Sequence, residues 1–357
     1  MPDQPHLAPP TLPRPTPVDE RLAAVAQRYA TAITPDMAAL IDPADPADPI
    51  AAQFRPDMRE LMESPEERVD PIGDAAHSPV PGVVHRYPDR VLLTLLHACP
   101  VYCRFCFRKA RVGPGGDALT GAGLDTALAY IANHKDIWEV ILSGGDPMLL
   151  APRRLAVVFD RLDRLDHVGV VRLHTRVPVV DPGRVTADLV AALRLSNTAT
   201  WVSVHTNHPR ELTAAAAAAL NRLVDAGIPL VSQTVLLRGI NDCPDTLETL
   251  FRRLVRLRVK PYYLHHPDAA PGTGHFRLPL ADGQAIAAAL RGRVSGLCQP
   301  TYVLDIPGGH GKVPAGRCYI ETNQKTGTVA VTDPRGCVHD CPALAADPAA
   351  QHRPDRD

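Results

Sequence analysis

Short runs of apolar and β-branched residues alternate with longer amphipathic segments from Arg90 onward. Such runs are typical of buried strands, whereas the longer segments carry apolar residues at the spacing of one helix face. The strand-like runs are residues 91–98, 138–145, 168–175, 200–206, 228–237 and 260–266, and helix-like stretches such as 153–163 and 212–226 lie between them. This alternation predicts an α/β protein with a parallel sheet. An open or partial (β/α)6-type barrel, with function on the loops after its strands, fits it best.

The rest of the chain divides around this barrel. Residues 1–18 are rich in proline and are predicted to be a disordered leader. Helical spacing from Glu20 to Thr34 begins a helical extension at 19–84, which several prolines interrupt. The barrel core is expected at 85–300. A last strand-like run, 301–306, opens a C-terminal region at 301–347, followed by a polar tail at 348–357.

Composition excludes several classes of function. With Lys+Arg 38 against Asp+Glu 39, the net charge of -1 gives no electrostatic footprint for nucleic acid or an anionic membrane. The chain has no apolar run of about 20 residues, so no membrane-spanning helix is expected. The N-terminus lacks the basic start and apolar middle of a signal peptide, so a reducing cytoplasm is expected. There, the 8 cysteines are metal ligands, redox groups or core residues rather than disulfides.

Three cysteines, Cys99, Cys103 and Cys106, follow the first barrel strand with the spacing C-x3-C-x2-C. Three thiolates on one loop can hold three irons of a [4Fe-4S] cluster and leave the fourth iron open, whereas ordinary clusters have four cysteine ligands. The alternative is a zinc loop, which would need a fourth ligand. With the aromatic Phe105 before the last cysteine, the loop resembles the radical SAM signature. That resemblance implies that the open iron binds the amino and carboxylate groups of S-adenosylmethionine (SAM).

A glycine turn supports this interpretation. Gly144, Gly145 and Asp146 directly follow the second barrel strand, in the segment SGGDP. Glycines let the backbone approach a ligand closely, and the carboxylate could accept a hydrogen bond from an ammonium. In radical SAM enzymes the equivalent segment holds the methionine amino group of SAM. A plain turn is the alternative.

A lysine near the end of the chain follows a glycine-rich bend in the segment PGGHGK. Lys312 could project from this bend into a cavity, and lysines that form Schiff bases need such access and a lowered pKa. Taken in isolation, the segment could equally be a surface loop with a solvated lysine.

The chain resembles the lysine 2,3-aminomutases from residue 85 to residue 314, about two thirds of its length. The resemblance implies an isomerase that moves the amino group of lysine from C2 to C3, giving β-lysine. It also implies a [4Fe-4S] cluster, SAM and pyridoxal phosphate (PLP). The matching landmarks, in chain order, are PGVVHRYPDR, the cysteine loop with FCFRK, ILSGGDP, TRVPVVDP, HTNHPRE, AGIPL, QTVLLRGIND, VKPYYLHHPD, GTGHFR and RGRVSGLCQPTYVLDIPGGHGK.

The resemblance assigns cofactor roles by position. Lys312 would bind PLP covalently, and Arg86 and Arg90 would bind the PLP phosphate, a role that suits arginine geometry. A surface ion pair is the alternative for the two arginines. His205 and Gln233 lie in segments that line the SAM site of the family.

Three charged residues would recognise the substrate. Arg108 matches the arginine that holds the substrate carboxylate, and Asp268 and Asp305 match the two aspartates that bind the distal ammonium. A buried carboxylate pair is costly unless a cation neutralises it, and the lysine ammonium would supply that cation. Glutamate is therefore disfavoured, whereas arginine and ornithine stay open as substrates.

The chain departs from the clostridial pattern at two places. HHPD replaces the more usual YQ-x-D, and GGHGK replaces GGGGK, which puts His310 beside the PLP lysine. The family includes enzymes that make β-lysine as a metabolite and relatives that supply it for modification of elongation factor P. The HHPD variant and the compact tail favour the second role. A non-catalytic iron–sulfur or zinc-binding protein is the alternative from another class, but it leaves the lysine and the arginines unexplained.

Partners and a second metal site complete the expectations. Since an outside electron starts the reaction, we expect a flavodoxin- or ferredoxin-type donor, and we expect a homo-oligomer. In clostridial relatives, C-terminal cysteines share zinc with a cysteine of the neighbouring subunit. The residues here that suggest such a site are Cys337, His339 and Cys341, with Cys243 in the partner position.

Overall fold

Strands that follow one another in the chain also lie side by side in the sheet. A computed structural model describes residues 17–113, 118–323 and 326–341 of this protein. Within those residues, nine strands form one sheet in the order β1 to β9, and three more form a small second sheet. The strands are β1 Val83–Tyr87, β2 Arg90–Leu96, β3 Glu139–Gly144, β4 Val170–Thr175, β5 Ala199–His205, β6 Leu230–Val235, β7 Val259–His265, β8 Thr301–Asp305, β9 Lys312–Pro314, β10 Ile320–Thr322, β11 Val329–Thr332 and β12 Val338–Asp340.

Helices connect most of the parallel strands. Several begin at a proline or behind a threonine cap, as where the Thr213 side chain accepts a hydrogen bond from the backbone N–H of Ala216. The α-helices in the described residues are α1 Pro17–Arg28, α2 Pro35–Ala38, α3 Pro49–Phe54, α4 Gly121–Asn133, α5 Pro152–Asp163, α6 Val177–Val180, α7 Ala187–Ala192, α8 Ala214–Asp225, α9 Pro244–Arg256 and α10 Leu280–Ala289.

The large sheet is a curled half-barrel. Strands β2 to β8 are parallel, and one antiparallel strand flanks each side, β1 beside β2 and β9 beside β8. The predicted fold class, an α/β partial barrel, is confirmed. The run at 301–306 adds a seventh parallel strand to the six that the pattern predicted. Strands β1 and β9 were not predicted, because VVHRY and KVP lack an apolar run.

Apolar side chains from strands and helices fill the core. Leu93 and Leu142 of neighbouring strands are fully buried, as are Leu155 and Phe159 of α5, which faces the sheet. Burying such a side chain stabilises the fold by about 1.5–3 kcal/mol each. The scaffold beneath the strand ends is therefore well packed. Because parallel strands end at the same edge, the loops that follow β2 to β8 gather there.

The ends of the chain differ in part from the expectation. The predicted leader lies outside the described residues except for positions 17 and 18, which begin α1, and the polar tail lies wholly outside them. The extension at 19–84 contains short helices, as predicted. After Lys312 the chain forms the sheet β10 to β12, whose three- and four-residue strands are too short and too exposed to leave a periodic pattern. No helix in the described residues is long and apolar enough to cross a membrane.

Candidate active site

One cavity, enclosed by the half-barrel, extends from the first residues of β2 and β3 to the loops that follow the strands, and it contains every residue that the sequence suggested for catalysis, cofactors and substrate. Its volume is about 660 Å³. The cysteine loop lies at one part of its wall, and the lysine that follows the glycine bend lies at another. The suggested residues in the wall are Arg86, Arg90, Cys99, Cys103, Cys106, Arg108, Gly144, Gly145, Asp146, His205, Gln233, Asp268, Asp305 and Lys312.

The N-terminal extension holds the cysteine loop in place. The backbone N–H of Tyr102 donates to the Ala32 carbonyl at 3.1 Å, and that of Arg104 donates to the Gln53 carbonyl at 2.8 Å. The Arg104 side chain, only 1% exposed, forms an ion pair with Glu60, which is 0% exposed. Breaking such a buried pair by removing one partner is costly, since a charge is left unpaired. The segment at 19–84 therefore braces the loop on both sides of its second cysteine.

Burial disfavours the thiolate form of two of the three cysteines. Burial raises the pKa of Cys99 above its usual range and raises that of Cys106 to about 11. No group of three or more Cys, His, Asp or Glu in the described ranges is arranged around a single ion. The assignment of these thiols to a [4Fe-4S] cluster rather than to zinc therefore rests on their spacing in the sequence.

A buried arginine contacts the second cysteine. Arg176, just after β4, donates from Nη1 to the Cys103 Sγ at 2.8 Å and from Nη2 to Glu211 Oε2 at 2.7 Å. Its side chain is 5% exposed, and that of Glu211 is 0% exposed. The guanidinium thus places a positive charge and an N–H donor directly on a candidate cluster ligand. The sequence analysis assigned no role to this arginine, although TRVP was one of its landmarks.

The glycine turn packs against the cysteine loop, and other parts of the chain hold its carboxylate. A Cβ on Gly145 would lie 2.1 Å from the Ala98 carbonyl oxygen, so the glycine allows close packing against the start of the cysteine loop. Asp146 does line the cavity, but its carboxylate accepts bonds from Thr175 Oγ1 at 2.7 Å and from the Arg176 backbone N–H at 2.6 Å. Two further backbone N–H groups fill its remaining sites. Contact between this turn and SAM stays a prediction.

Two neutral polar side chains line the middle of the cavity. Burial, with Arg176 nearby, lowers the pKa of His205 to about 3, and its Nε2 contacts Asn207 Oδ1 at 3.2 Å. Gln233 Nε2 lies 3.3 Å from His174 Nε2. The Ser203 hydroxyl in the same wall is buried without a partner in the described part of the chain. These groups could recognise a polar uncharged ligand such as an adenosine moiety.

Lys312 faces two other functional groups. Its ammonium pairs with Asp305 and lies 3.3 Å from His265 Nδ1, while its backbone N–H donates to the Tyr87 hydroxyl at 2.8 Å. The bend before it needs glycine, since Gly309 has a φ of +89° and a Cβ there would lie 2.6 Å from His77 Nε2. The lysine is therefore held inside the cavity rather than in solvent.

A second carboxylate lies close to this ion pair. Burial and the neighbouring Asp305 raise the pKa of Asp268 to about 7, although Lys312 partly offsets both effects. Two carboxylates in one apolar wall favour a cationic ligand, because only a cation can neutralise both of them. The part of the cavity beside Lys312 is thus suited to an ammonium group.

Three arginines border the same end of the cavity. Arg86 and Arg108 both pair with Asp74, at 3.0 Å and 2.8 Å, and Arg86 also donates to a backbone carbonyl. Arg90 lies over the ring of Tyr87, 3.7 Å from its centroid. The Nε of Arg86 and the Nε2 of His265 are buried without partners in the described residues. Both are suited to an acceptor-rich ligand such as a phosphate ester. The sequence analysis did not single out Asp74 or His265.

The second suggested metal site is unassembled in a single chain. Cys243 is exposed at the start of α9, and Cys337 and His339 are exposed around β12. His339 Nε2 contacts Asp333 Oδ2 at 3.0 Å instead of a cysteine. A zinc site with Cys341, shared between two copies, stays a prediction.

The half-barrel and the three-cysteine loop after its first parallel strand define a radical SAM protein. The family model of the radical SAM superfamily matches residues 93–252. Proteins of this superfamily use a [4Fe-4S] cluster and SAM.

Comparison with similar proteins identifies a family within this superfamily. An L-lysine 2,3-aminomutase of Clostridium subterminale is 42% identical over 85% of this chain and 72% of its own length. Another, of Acetoanaerobium sticklandii, is 43% identical over 81% of this chain and 70% of its own length. A glutamate 2,3-aminomutase of Clostridioides difficile is 35% identical over 83% of this chain and 69% of its own length. The chain belongs to the lysine 2,3-aminomutase family and is an isomerase.

Proposed function

We propose that this protein converts L-lysine to β-lysine, using PLP bound at Lys312 together with the cluster and SAM. The observation that carries the proposal is the pair of carboxylates, Asp268 and Asp305, beside that lysine. One of them already holds an ammonium, the Lys312 side chain itself. The site therefore binds an alkylammonium group of the kind that a lysine substrate carries at its far end.

The carboxylate pair also argues against glutamate as the substrate. A glutamate side chain would bring a third carboxylate beside Asp268 and Asp305, and like charges in a dry pocket repel strongly. When Lys312 is engaged with PLP, its positive charge no longer neutralises Asp305. A substrate ammonium would then take the place that the Lys312 ammonium occupies in the structure.

The residues in the wall fit the three cofactors. Cys99, Cys103 and Cys106 would hold the cluster, and Lys312 with Arg86 would hold PLP. The unpartnered Nε of that arginine supports a phosphate there. SAM would lie between them, against the polar residues His205, Gln233 and Ser203 and the turn at Gly144 and Gly145. Bound together, these groups supply the radical that removes a hydrogen atom and the π-system that stabilises the unpaired electron.

The protein's own residues would position the substrate. Arg108 would bind the substrate carboxylate, and the two aspartates would bind the distal ammonium, so that the chain of lysine is fixed at both ends. Arg90 would add a second cation near the PLP phosphate from the rim of the cavity. A reactive carbon held at a fixed position favours one hydrogen atom over its neighbours.

A substrate panel tests this proposal. Protein reconstituted with iron, sulfide, PLP and SAM under anaerobic conditions, and supplied with a one-electron reductant such as dithionite, should convert lysine, with the β-amino product followed by mass spectrometry. Ornithine and arginine retain the cation but place it at another distance, so they should react more slowly. Glutamate should not react. Preferential turnover of glutamate would contradict the proposal, as would turnover of every amino acid at a similar rate.

We further propose that the β-lysine is used to modify elongation factor P. The HHPD segment, which departs from the clostridial YQ-x-D, supports this assignment. Elongation factor P from cells lacking this protein should then lack the added β-lysyl mass, and it should regain the mass when β-lysine is supplied. An electron carrier such as a flavodoxin or ferredoxin would provide the starting electron, and we expect the active form to be a homo-oligomer.

A further inference from the structure

One buried carboxylate in the N-terminal extension is shared by two arginines of the cavity. Asp74 Oδ1 accepts from Arg86 Nη2 at 3.0 Å, and its Oδ2 accepts from Arg108 Nη2 at 2.8 Å and from Arg108 Nε at 3.3 Å. The side chains of Asp74, Arg86 and Arg108 are 5%, 11% and 13% exposed. Charge-assisted bonds of this length in a buried site fix the orientation of both guanidinium planes.

The contact with Asp74 decides which edge of Arg108 can meet a ligand. The side edge, formed by Nε and one N–H of Nη2, is occupied by Asp74. Nη1 reaches the Ser143 hydroxyl at 3.3 Å with one of its hydrogens. One N–H of Nη1 and one of Nη2 are not used by these contacts, and the end-on edge that the two nitrogens share can bind a carboxylate in a bidentate manner.

The charges also match an anionic ligand. One carboxylate faces two arginines, so a single positive charge is left over in this corner of the cavity. Without Asp74, the two guanidinium groups would repel each other and turn toward separate partners. The aspartate thus keeps two like charges close together, and it leaves a net cation where the substrate carboxylate would lie.

The segment that carries Asp74 is itself firmly anchored. The backbone N–H of Asp74 donates to Asp70 Oδ1 at 2.9 Å. On the other side, His77 Nε2 contacts the Gly309 carbonyl oxygen at 3.1 Å. A Cβ on Gly73 would lie 2.6 Å from Gly308, so this segment packs tightly against the bend before the PLP lysine. Asp74 is therefore held at a fixed position relative to that lysine.

We propose that Asp74 is a positioning residue that presents the outer edge of Arg108 to the substrate carboxylate. The inference rests on the proposed function, since it takes an amino acid carboxylate as the ligand of Arg108. It assigns to the N-terminal extension a part in substrate recognition, although Asp74 itself contacts no substrate.

Lysine and cadaverine, its analogue without the carboxylate, provide the test. Both carry the amino groups that the pocket would bind, but only lysine carries the carboxylate that Arg108 would bind. In protein saturated with PLP, binding of each is followed by the absorbance change of the bound cofactor. Asp74→Asn should weaken lysine about ten- to hundred-fold, the usual effect of losing a hydrogen bond to a charged group. Cadaverine should bind within about two-fold of wild type on the same reasoning, since no carboxylate is involved.

A matched control and a double variant complete the design. Asp125→Asn removes an exposed aspartate that pairs with Arg161 away from the cavity, and it should change neither ligand. Arg108→Lys should lose the same discrimination, because a lysine lacks the fork. Adding Asp74→Asn to Arg108→Lys should then cost little more, as expected for two residues that act through one contact.

The outcomes separate the two proposals. The positioning role is overturned if wild type responds to lysine and Asp74→Asn weakens the binding of lysine and cadaverine equally. It is also overturned if Asp74→Asn weakens the binding of neither ligand. Full additivity of the double variant overturns it as well. Should Asp74→Asn fold poorly, Asp74→Glu supplies the comparison, because it keeps the charge but shifts the carboxylate, and it should weaken lysine more than cadaverine. A wild type that responds to neither lysine nor cadaverine overturns the proposed function and this inference with it.

Discussion

Removing the charge of Asp305 should make the protein lose its preference for lysine. The side chain of Asp305 is 11% exposed and pairs with the only ammonium that the described part of the cavity wall presents to it, that of Lys312. In Asp305→Asn the shape of the side chain is kept, while the partner for a substrate ammonium is reduced to Asp268. The buried ammonium of the substrate would then be paired with one carboxylate instead of two.

The magnitude follows from the cost of a buried, incompletely paired charge. Truncating one partner of a buried charge pair typically costs about 2–5 kcal/mol. Since about 1.4 kcal/mol is a factor of ten, catalytic efficiency with lysine should fall about 30- to 1000-fold or more. Norleucine has the length of lysine but no ammonium, so it gains nothing from Asp305. Its turnover should change much less, and the ratio of the two substrates should collapse.

The assay compares lysine with norleucine in wild type and in Asp305→Asn, with the β-amino product followed by mass spectrometry. Because Asp305 also contacts Lys312, retention of the borohydride-reducible PLP adduct is checked first in the variant. Asp225→Asn, which removes an exposed aspartate paired with Arg258, serves as the control and should leave the ratio unchanged. An unchanged lysine-to-norleucine ratio in Asp305→Asn would refute the role of this aspartate as the reader of the distal charge.

Three further predictions concern other parts of the site. The pKa of Asp268 is raised to about 7, and only its ionised form pairs with an ammonium, so lysine should bind more tightly as the pH rises through 7. In Asp268→Asn, the affinity for lysine should no longer depend on pH in this range. A pH dependence that persists in the variant would contradict this role of Asp268. Lys312→Ala should lose the borohydride-reducible PLP adduct and keep its iron; an adduct elsewhere would point to another lysine. Arg176→Gln should lower the midpoint potential of the cluster, measured by redox titration, because hydrogen bonds to ligand sulfur help to set that potential. An unchanged midpoint potential would show that Arg176 does not interact with the cluster.

The sequence was sufficient to predict the parts of this molecule that depend on local patterns. The strand runs mark buried strands by their apolar character, and β3, β5 and β7 lie within about two residues of the predicted ranges. The cysteine spacing within Cys99 to Cys106 defines the loop chemistry without any knowledge of the fold. Each property belongs to one short segment, and such segments can be interpreted one at a time.

Contacts between distant segments could not be predicted in the same way. Asp74 and Arg108 are 34 positions apart, and Arg176 and Cys103 are 73 positions apart. Which buried charge meets which arginine depends on how the extension and the barrel pack together, and no periodicity encodes that choice. The turn at Gly145 shows the same limit, because the close approach of this glycine to Ala98 of the cysteine loop depends on how two distant segments pack.

The central claim is that this protein moves the α-amino group of lysine to C3. The direct measurement uses L-lysine labelled with 15N at the α-amino group and with 13C along the chain. After incubation with the anaerobically loaded protein and a reductant, NMR should show the 15N coupled to C3 and no longer to C2. The transfer should require SAM and should fail in Cys103→Ala. A label that stays on C2, or one released as ammonia, would contradict the account.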